Sequence, residues 1–333
     1  MSLHTSAAAS LHLLLALASI ASLDVHAQAA SRERIVGCLS YVTPDAPKPC
    51  LDGLRKGLAQ AGWVEGRTFR FEVRYAGGKP ELLAPRAAEL VALHPDVLAT
   101  SGLPSTVALQ QATRELPIVV LSAGGMQTAG LIATLDRPGG NVTGQSFGVS
   151  EHGMKTFDIL LQAFPNAKRI GVILNSRNPV HSIDPAGAAL VKRQGRELEQ
   201  AWIEDACGID AAWDALAARG VGAVVINPDL GPHMPAHARA AIRLGLPAIS
   251  HHHGFVENGG LMSYGLGPQE SICRKGARYV HEVLEGRRPQ DLPVEEMRDA
   301  ELVINMKAAR ALKVNLPADI LTRAAELIDG PAR

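Results

Sequence analysis

Aromatic residues are scarce. Three Trp, four Tyr and six Phe make up 4% of the 333 residues, so any aromatic clamp on a ligand must use few of them. Charge of either sign is not in excess, with 33 Lys+Arg against 33 Asp+Glu. A balanced chain lacks the basic surplus that binds phosphate backbones, so nucleic acid is not an expected partner. No run of five like charges marks a charged tail. Only four cysteines occur, Cys38, Cys50, Cys207 and Cys273, and none forms a C-x-x-C pair. That spacing disfavours a zinc ribbon or a thioredoxin-type site. Cys38 lies in an apolar strand and reads as a buried thiol. Cys38 and Cys50 could lie close together, which spacing alone does not show. Past residue 30 there is no apolar run long enough for a transmembrane helix.

What is present is a globular composition, 47% hydrophobic and 20% charged, in a chain long enough for two domains. The N-terminus stands apart. Residues 1–30 hold no Lys or Arg, and Leu11–Ile20 is a short apolar block. Small residues follow at Val25-His26-Ala27, so residues 1–27 read as a secretory signal peptide cut near Ala27. The first segment departs from the usual pattern in carrying only His4 and His12 in place of a fixed positive charge. Export to the periplasm would permit disulfides.

From Arg34 onward, short apolar strands alternate with helical patterns. Arg34–Ser40, Thr68–Tyr75, Val97–Ala99 and Ile118–Leu121 read as strands, separated by helices over Cys50–Ala61, Pro80–Leu93 and Ser105–Thr113. Continuous β-branched runs between helices point to a parallel sheet with right-handed crossovers. A turn at Arg137–Asn141 precedes a second series of the same plan. That series has strands at Arg169–Leu174, Ala223–Ile226 and Pro247–Ser250, a weak strand near Trp202–Cys207, and a long helix over Ala186–Ala201. The last quarter holds one helix, Gln269–Glu285, and stray strand-like runs that cannot build a core alone. It is expected to return and pack on the earlier units, which implies several crossings, a hinge and a cleft. The fold class is α/β, with two Rossmann-like lobes built on parallel sheets. The expected division is a first lobe of 32–144 plus 265–288 and a second of 145–264 plus 289–330, with the hinge starting within Arg137–Gly144.

Several stretches resemble one family. They are Gly53–Leu58 through Gly62–Gly66, Leu131–Leu135 with Arg137–Gly144, Gly259–Gly265, and Asp291–Val294 with Glu301–Asn305. In order and together they resemble the ABC-transporter substrate-binding proteins that include tryptophan- and tyrosine-type binders, from Arg34 to about Ile328. The resemblance implies a type I periplasmic-binding fold with three crossovers, and a ligand held in the cleft by closure. It implies a small-molecule solute, possible choices being an amino acid or a related carboxylate, and an ABC permease in the inner membrane as partner. No enzyme activity, cofactor or metal is implied, and the chain is expected to be a monomer.

Open α/β sheets bind ligands at the carboxyl ends of their strands. In the first lobe this selects Ser40, Tyr41, Ser101, Gly102, Ser105, Thr106, Ser122 and Gly124. The run Ser101–Thr106 leads into a helix whose free N–H groups suit a carboxylate, although Ser105 also reads as a helix cap. In the second lobe the same logic selects Asn175, Asn178, Asn227, Asp229, His252 and Glu257. Asp229 or Glu257 would pair with a ligand ammonium. Tyr41 is the candidate stacking aromatic, and Trp63, after a helix-ending glycine, is expected to pack structurally. Three consecutive histidines, His251-His252-His253, point in different directions on an extended chain, so one ion cannot take all three. Two rival readings remain. Gly144-Gln145-Ser146-Phe147-Gly148 matches G-x-S-x-G, the nucleophile elbow of a serine hydrolase. The chain could also be the ligand-binding module of a sensory system, although it carries no output domain.

Overall fold

The computed structural model describes residues 32–45, 48–176, 183–227, 230 and 233–329. The leader expected at 1–27 lies outside them, as do Asn178 and Asp229. In the first half, strands β1 (Arg34–Ser40), β2 (Phe69–Tyr75), β3 (Val97–Ser101), β4 (Ile118–Gly124) and β5 (Val142–Phe147) alternate with helices α1 (Pro49–Gln60), α2 (Leu83–Val91) and α3 (Leu103–Ala112). In the second, α4 (Val149–Ala163), β6 (Arg169–Asn175), α5 (Pro185–Arg193), β7 (Glu197–Ile203), α6 (Ile209–Ala218), β8 (Ala223–Ile226), α7 (Met234–Leu244), β9 (Ala248–Ser250), α8 (Gly254–Glu257) and β10 (Met262–Gly265) follow. The returning tail comprises α9 (Gln269–Leu284), β11 (Glu295–Met297), β12 (Glu301–Asn305), α10 (Met306–Leu312), α11 (Ala318–Thr322) and β13 (Glu326–Ile328).

Two sheets result. The first has the order β11-β5-β4-β3-β1-β2 and the second β13-β12-β10-β9-β8-β6-β7. Every described pairing is parallel except β10 with β12. Helices cover both faces of each sheet, so central strands are buried on both sides. All seven residues of β4 are buried, which is why it reads as a continuous apolar run. Each lobe carries an apolar cluster on each face of its sheet. Among the described residues no helix is long and apolar enough to cross a membrane.

Sheet membership differs from the expected division at two places. β5 pairs with β4, and β11 pairs with β5, so residues 142–147 and 295–297 belong to the first sheet. The first crossing therefore follows Phe147, not Arg137–Gly144. Gly144 is instead a mid-strand residue at a slip in the β4–β5 register. Its φ is +129°, and a Cβ there would stand 2.0 Å from the Val120 carbonyl oxygen. The long helix expected over Ala186–Ala201 is also corrected. α5 stops at Arg193, Gly195 turns with φ +68°, and β7 occupies Glu197–Ile203. The weak strand expected near Trp202–Cys207 is the end of this β7, and Cys207 sits in a short 3-10 turn.

The returning α9 is fastened to the first lobe through α1. Gly53 and Gly57 of α1 let the two backbones touch: a Cβ on Gly53 would stand 2.1 Å from the Glu270 carbonyl oxygen, and one on Gly57 2.4 Å from Ala277 Cβ. A Cys50–Cys273 disulfide, joining residues 223 apart, bolts the same contact. Cys50 therefore pairs across the molecule and not with Cys38, which is a buried free thiol with its pKa pushed up to about 12 by burial. A bridge that closes so long a loop is worth about 2–5 kcal/mol. Trp63 packs structurally: its ring meets Phe69 edge-on, and its Nε1–H donates to His281 Nδ1 at 3.1 Å.

In the second lobe, Trp213 of α6 is fully buried and its Nε1–H donates to His237 Nδ1 of α7 at 3.0 Å. His237 is equally buried, and its Nε2 has no partner. Burial, with His233 nearby, depresses the His237 pKa to about 3. The unfolded chain takes up a proton near pH 6.5 and the folded protein does not, so this residue stabilises fully above that pH. Its contribution falls as pH drops from 6.5 toward 3. Urea unfolding at pH 4.5 should show about 2–3 kcal/mol less stability from this source than at pH 7. His237→Gln, which keeps an acceptor for the indole, should flatten that part of the profile. Identical pH slopes for the two proteins would refute the assignment.

Candidate functional site

Between the lobes lies a cavity of about 240 Å³. Its first-lobe wall is built where β3 and β4 end. The register of these strands slips after Thr100, so Ser101 comes level with Ser122. Ser101 Oγ donates to the Ser122 carbonyl at 3.3 Å and accepts from Gln269 Nε2 of α9 at 3.1 Å. Gly102, with φ +90°, is the N-cap of α3, and its N–H is taken by the Ser122 carbonyl at 2.8 Å. The first turn of α3 then opens toward the cavity through Leu103 and Pro104. N–H groups at such a helix start, with the helix dipole behind them, form an anion-friendly corner.

The second-lobe wall comes from α4, the approach to α5, Val172 of β6, Val225 of β8 with the residue after that strand, and the loop after β9. Asp184 caps α5, its Oδ2 accepting from Gly187 N–H at 2.7 Å. It is the one acidic side chain on the cavity wall among the described residues, where no Lys or Arg occurs. Gly153 on α4 makes room for it: a Cβ at Gly153 would stand 2.8 Å from Asp184 Cβ. Phe147 and Phe157 supply the aromatic surface, with aliphatic walls from residues such as Ile183 and Ile272. Among the described residues the cavity therefore has apolar walls, a single carboxylate on one lobe and a helix start on the other.

Of the residues selected from sequence, Ser101, Gly102, Ser122, Gly124, Asn227 and His252 line this cavity. Ser40, Tyr41, Ser105, Thr106, Asn175 and Glu257 do not. Tyr41 packs against the first-lobe core. Thr106 Oγ1 donates to the Gly102 carbonyl at 2.9 Å, one turn back in its own helix. Ser105 neither caps α3 nor reaches the cavity; its Oγ is buried without a partner. Glu257 lies 3.5 Å from His253 Nε2. Asp184, Phe147, Phe157 and His152 were missed. An Asp-Pro pair opening a helix was the available signal for Asp184, but it marks any N-cap equally.

The three histidines have separate settings, although all of them line the cavity. His251 Nδ1 lies 3.2 Å from Thr156 Oγ1, the His252 N–H donates to Ser250 Oγ at 3.1 Å, and His253 faces Glu257. Burial, with His253 alongside, lowers the His252 pKa. Ser146 stands inside β5, level with Ala123 on one side and Glu296 on the other, and is buried. A nucleophile elbow needs the serine raised at a strand-to-helix turn, so the G-x-S-x-G match is a coincidence of strand sequence.

Comparison with known proteins bears on this cavity. The family described as ABC transporter substrate binding protein matches residues 35–328. A protein named tyrosine-binding protein, from Clostridioides difficile, is 28% identical over 283 residues, covering 81% of this chain and 80% of its own. Among solved structures, a conserved domain protein from Vibrio cholerae superposes with a TM-score of 0.77 at 26% identity, over 89% of this chain and 100% of that one. The ABC domain from Streptococcus pneumoniae in complex with L-Trp gives 0.75 at 23% identity, with the same coverage.

Proposed function

Because the chain belongs to the ABC transporter substrate-binding protein family and has its two-lobed type I periplasmic-binding architecture, we propose that it captures an aromatic amino acid between its lobes. It is a solute-binding protein and not an enzyme. In this reading it acts as a monomer in the periplasm, after removal of its leader, and hands the ligand to a permease in the inner membrane. The observation that carries the ligand class is the cavity itself: apolar walls, Phe147 and Phe157, one carboxylate, and no basic residue among the described residues. The ligand carboxylate would sit against the start of α3 and the hydroxyl of Ser122, its ammonium against the free oxygen of Asp184, and its ring among the apolar walls. At about 240 Å³ the space suits one amino acid and not an oligosaccharide. The relatives point the same way: one is named for tyrosine and one was solved with L-Trp.

Function here is a shift between open and closed populations. Contacts to the ligand come from both lobes, so they exist together only when the cleft is shut, and binding energy goes into closure. Saturating L-tyrosine or L-tryptophan at about 100 times Kd should add roughly 2.7 kcal/mol and raise the melting temperature by several degrees. Small-angle scattering should show a more compact particle. L-leucine and simple sugars should do neither. If no aromatic amino acid shifts the melting curve while another solute class does, this reading is wrong.

A further inference from the structure

One residue of the cavity wall has a hydrogen-bonding capacity that the protein leaves unused. His152 sits in the first turns of α4 and is 8% exposed. Its Nδ1 lies 2.7 Å from the Gly148 carbonyl oxygen. A carbonyl can only accept, so Nδ1 carries the proton, and in the neutral ring Nε2 is left as a lone-pair acceptor. That Nε2 is buried and has no partner. Buried polar atoms are nearly always paired, and an unpaired one calls for an explanation. At His237 the unpaired Nε2 is a donor in a sealed core, whereas His152 borders the ligand cavity.

The surroundings narrow what the missing donor is. The Phe147 ring stands edge-on to the imidazole with centroids 6.1 Å apart, and the Tyr264 ring lies at 6.2 Å. Phe157 follows one turn and a half further along α4 and also lines the cavity. The His152 ring is thus set at an aromatic part of the wall. The cavity already has Asp184 as a carboxylate for a charged ammonium, and a neutral imidazole acceptor suits a neutral donor.

Resting on the aromatic-amino-acid reading above, we propose that His152 Nε2 accepts a hydrogen bond from the polar group of the ligand's ring, the phenol O–H of tyrosine or the indole N–H of tryptophan. His152 is then a specificity residue: it selects rings with a donor and rejects the plain phenyl ring. A ligand without the donor would leave Nε2 buried and unpaired when the cleft closes, and that penalty falls on the wrong ligand alone.

Calorimetric titration of the unmodified protein with L-tyrosine, L-tryptophan and L-phenylalanine tests this directly. At least one donor-bearing ligand should bind about tenfold or more tighter than L-phenylalanine. For tryptophan, the benzothienyl isostere, which has sulfur in place of N–H, should lose a similar factor. His152→Phe keeps a ring but removes the acceptor, and should bring the preference to within about threefold. Circular dichroism shows whether that variant folds; the ligand series on the unmodified protein stands without it. Equal affinity for phenylalanine overturns the proposal. So does a preference that survives in folded His152→Phe, or a loss in that variant equal for all three ligands, which would assign His152 to the shared amino-acid moiety. Absence of binding by all three overturns the aromatic-amino-acid reading and the proposal with it.

Discussion

Gly53→Ala should cost about 2–3 kcal/mol of stability, and Gly53→Leu more, although alanine is the better helix former by roughly 1 kcal/mol. The reason is the crossing of α1 and α9. The alanine methyl would stand 2.1 Å from the Glu270 carbonyl oxygen and 2.9 Å from its carbon. These are backbone atoms of a helix and cannot swing aside as a side-chain tip can. The helices must separate, against the disulfide at Cys50–Cys273 and the buried residues Leu54 and Leu58. Because α9 also carries Gln269 and Ile272 into the cavity, ligand affinity should fall with stability. Gly140 gives the control: an added Cβ there meets nothing within 4 Å, so Gly140→Ala should stay within about 0.5 kcal/mol. Urea unfolding of the three proteins measures this. A Gly53→Ala protein as stable as the control would show that the crossing tolerates a side chain.

Asp184→Asn should weaken binding of an aromatic amino acid by about 10- to 100-fold, with little change in the melting temperature of the free protein. The substitution separates two roles of one side chain. Asparagine is as good an N-cap as aspartate, so the bond to Gly187 N–H and the start of α5 should survive. What is lost is the negative charge, and a charge-assisted bond to an ammonium is worth about 1.5–3 kcal/mol. The loss should be absent for a ligand analogue lacking the α-amino group, such as indole-3-propionate. Unchanged affinity for the amino acid in Asp184→Asn would remove Asp184 from the site and leave the ammonium to another group.

Much of the architecture was legible because buried parallel strands write themselves as short apolar runs. β1, β3, β4, β6, β8 and β9 are all of this kind. β5 was not legible, since its sequence VTGQSF is half polar. Its polar residues are nonetheless buried, because other elements close over them. Thr143 Oγ1 donates to the Leu292 carbonyl at 2.7 Å, and Gln145 lies under α9 beside Gly276. No local pattern carries that information. β11 is only three residues long and exists by pairing with β5. The helix expected over Ala186–Ala201 breaks near Gly195, whose φ of +68° turns the chain toward β7.

The site divides in the same way. Strand-end position was enough to select Ser101, Gly102, Ser122, Gly124, Asn227 and His252, because in this topology those loops converge on one edge of each sheet. The sequence by itself determined an α/β chain of two units with a returning tail, and where its first-lobe loops would end. Only the tertiary structure decided which acid faces the cavity, which histidine nitrogen is left unpaired, and which cysteine closes on which. Each depends on residues far apart in the chain: Gly153 clearing space for Asp184, and Gly53 bringing Cys50 to Cys273. Periodicity records how one segment meets its neighbours on average. It does not record where two segments touch.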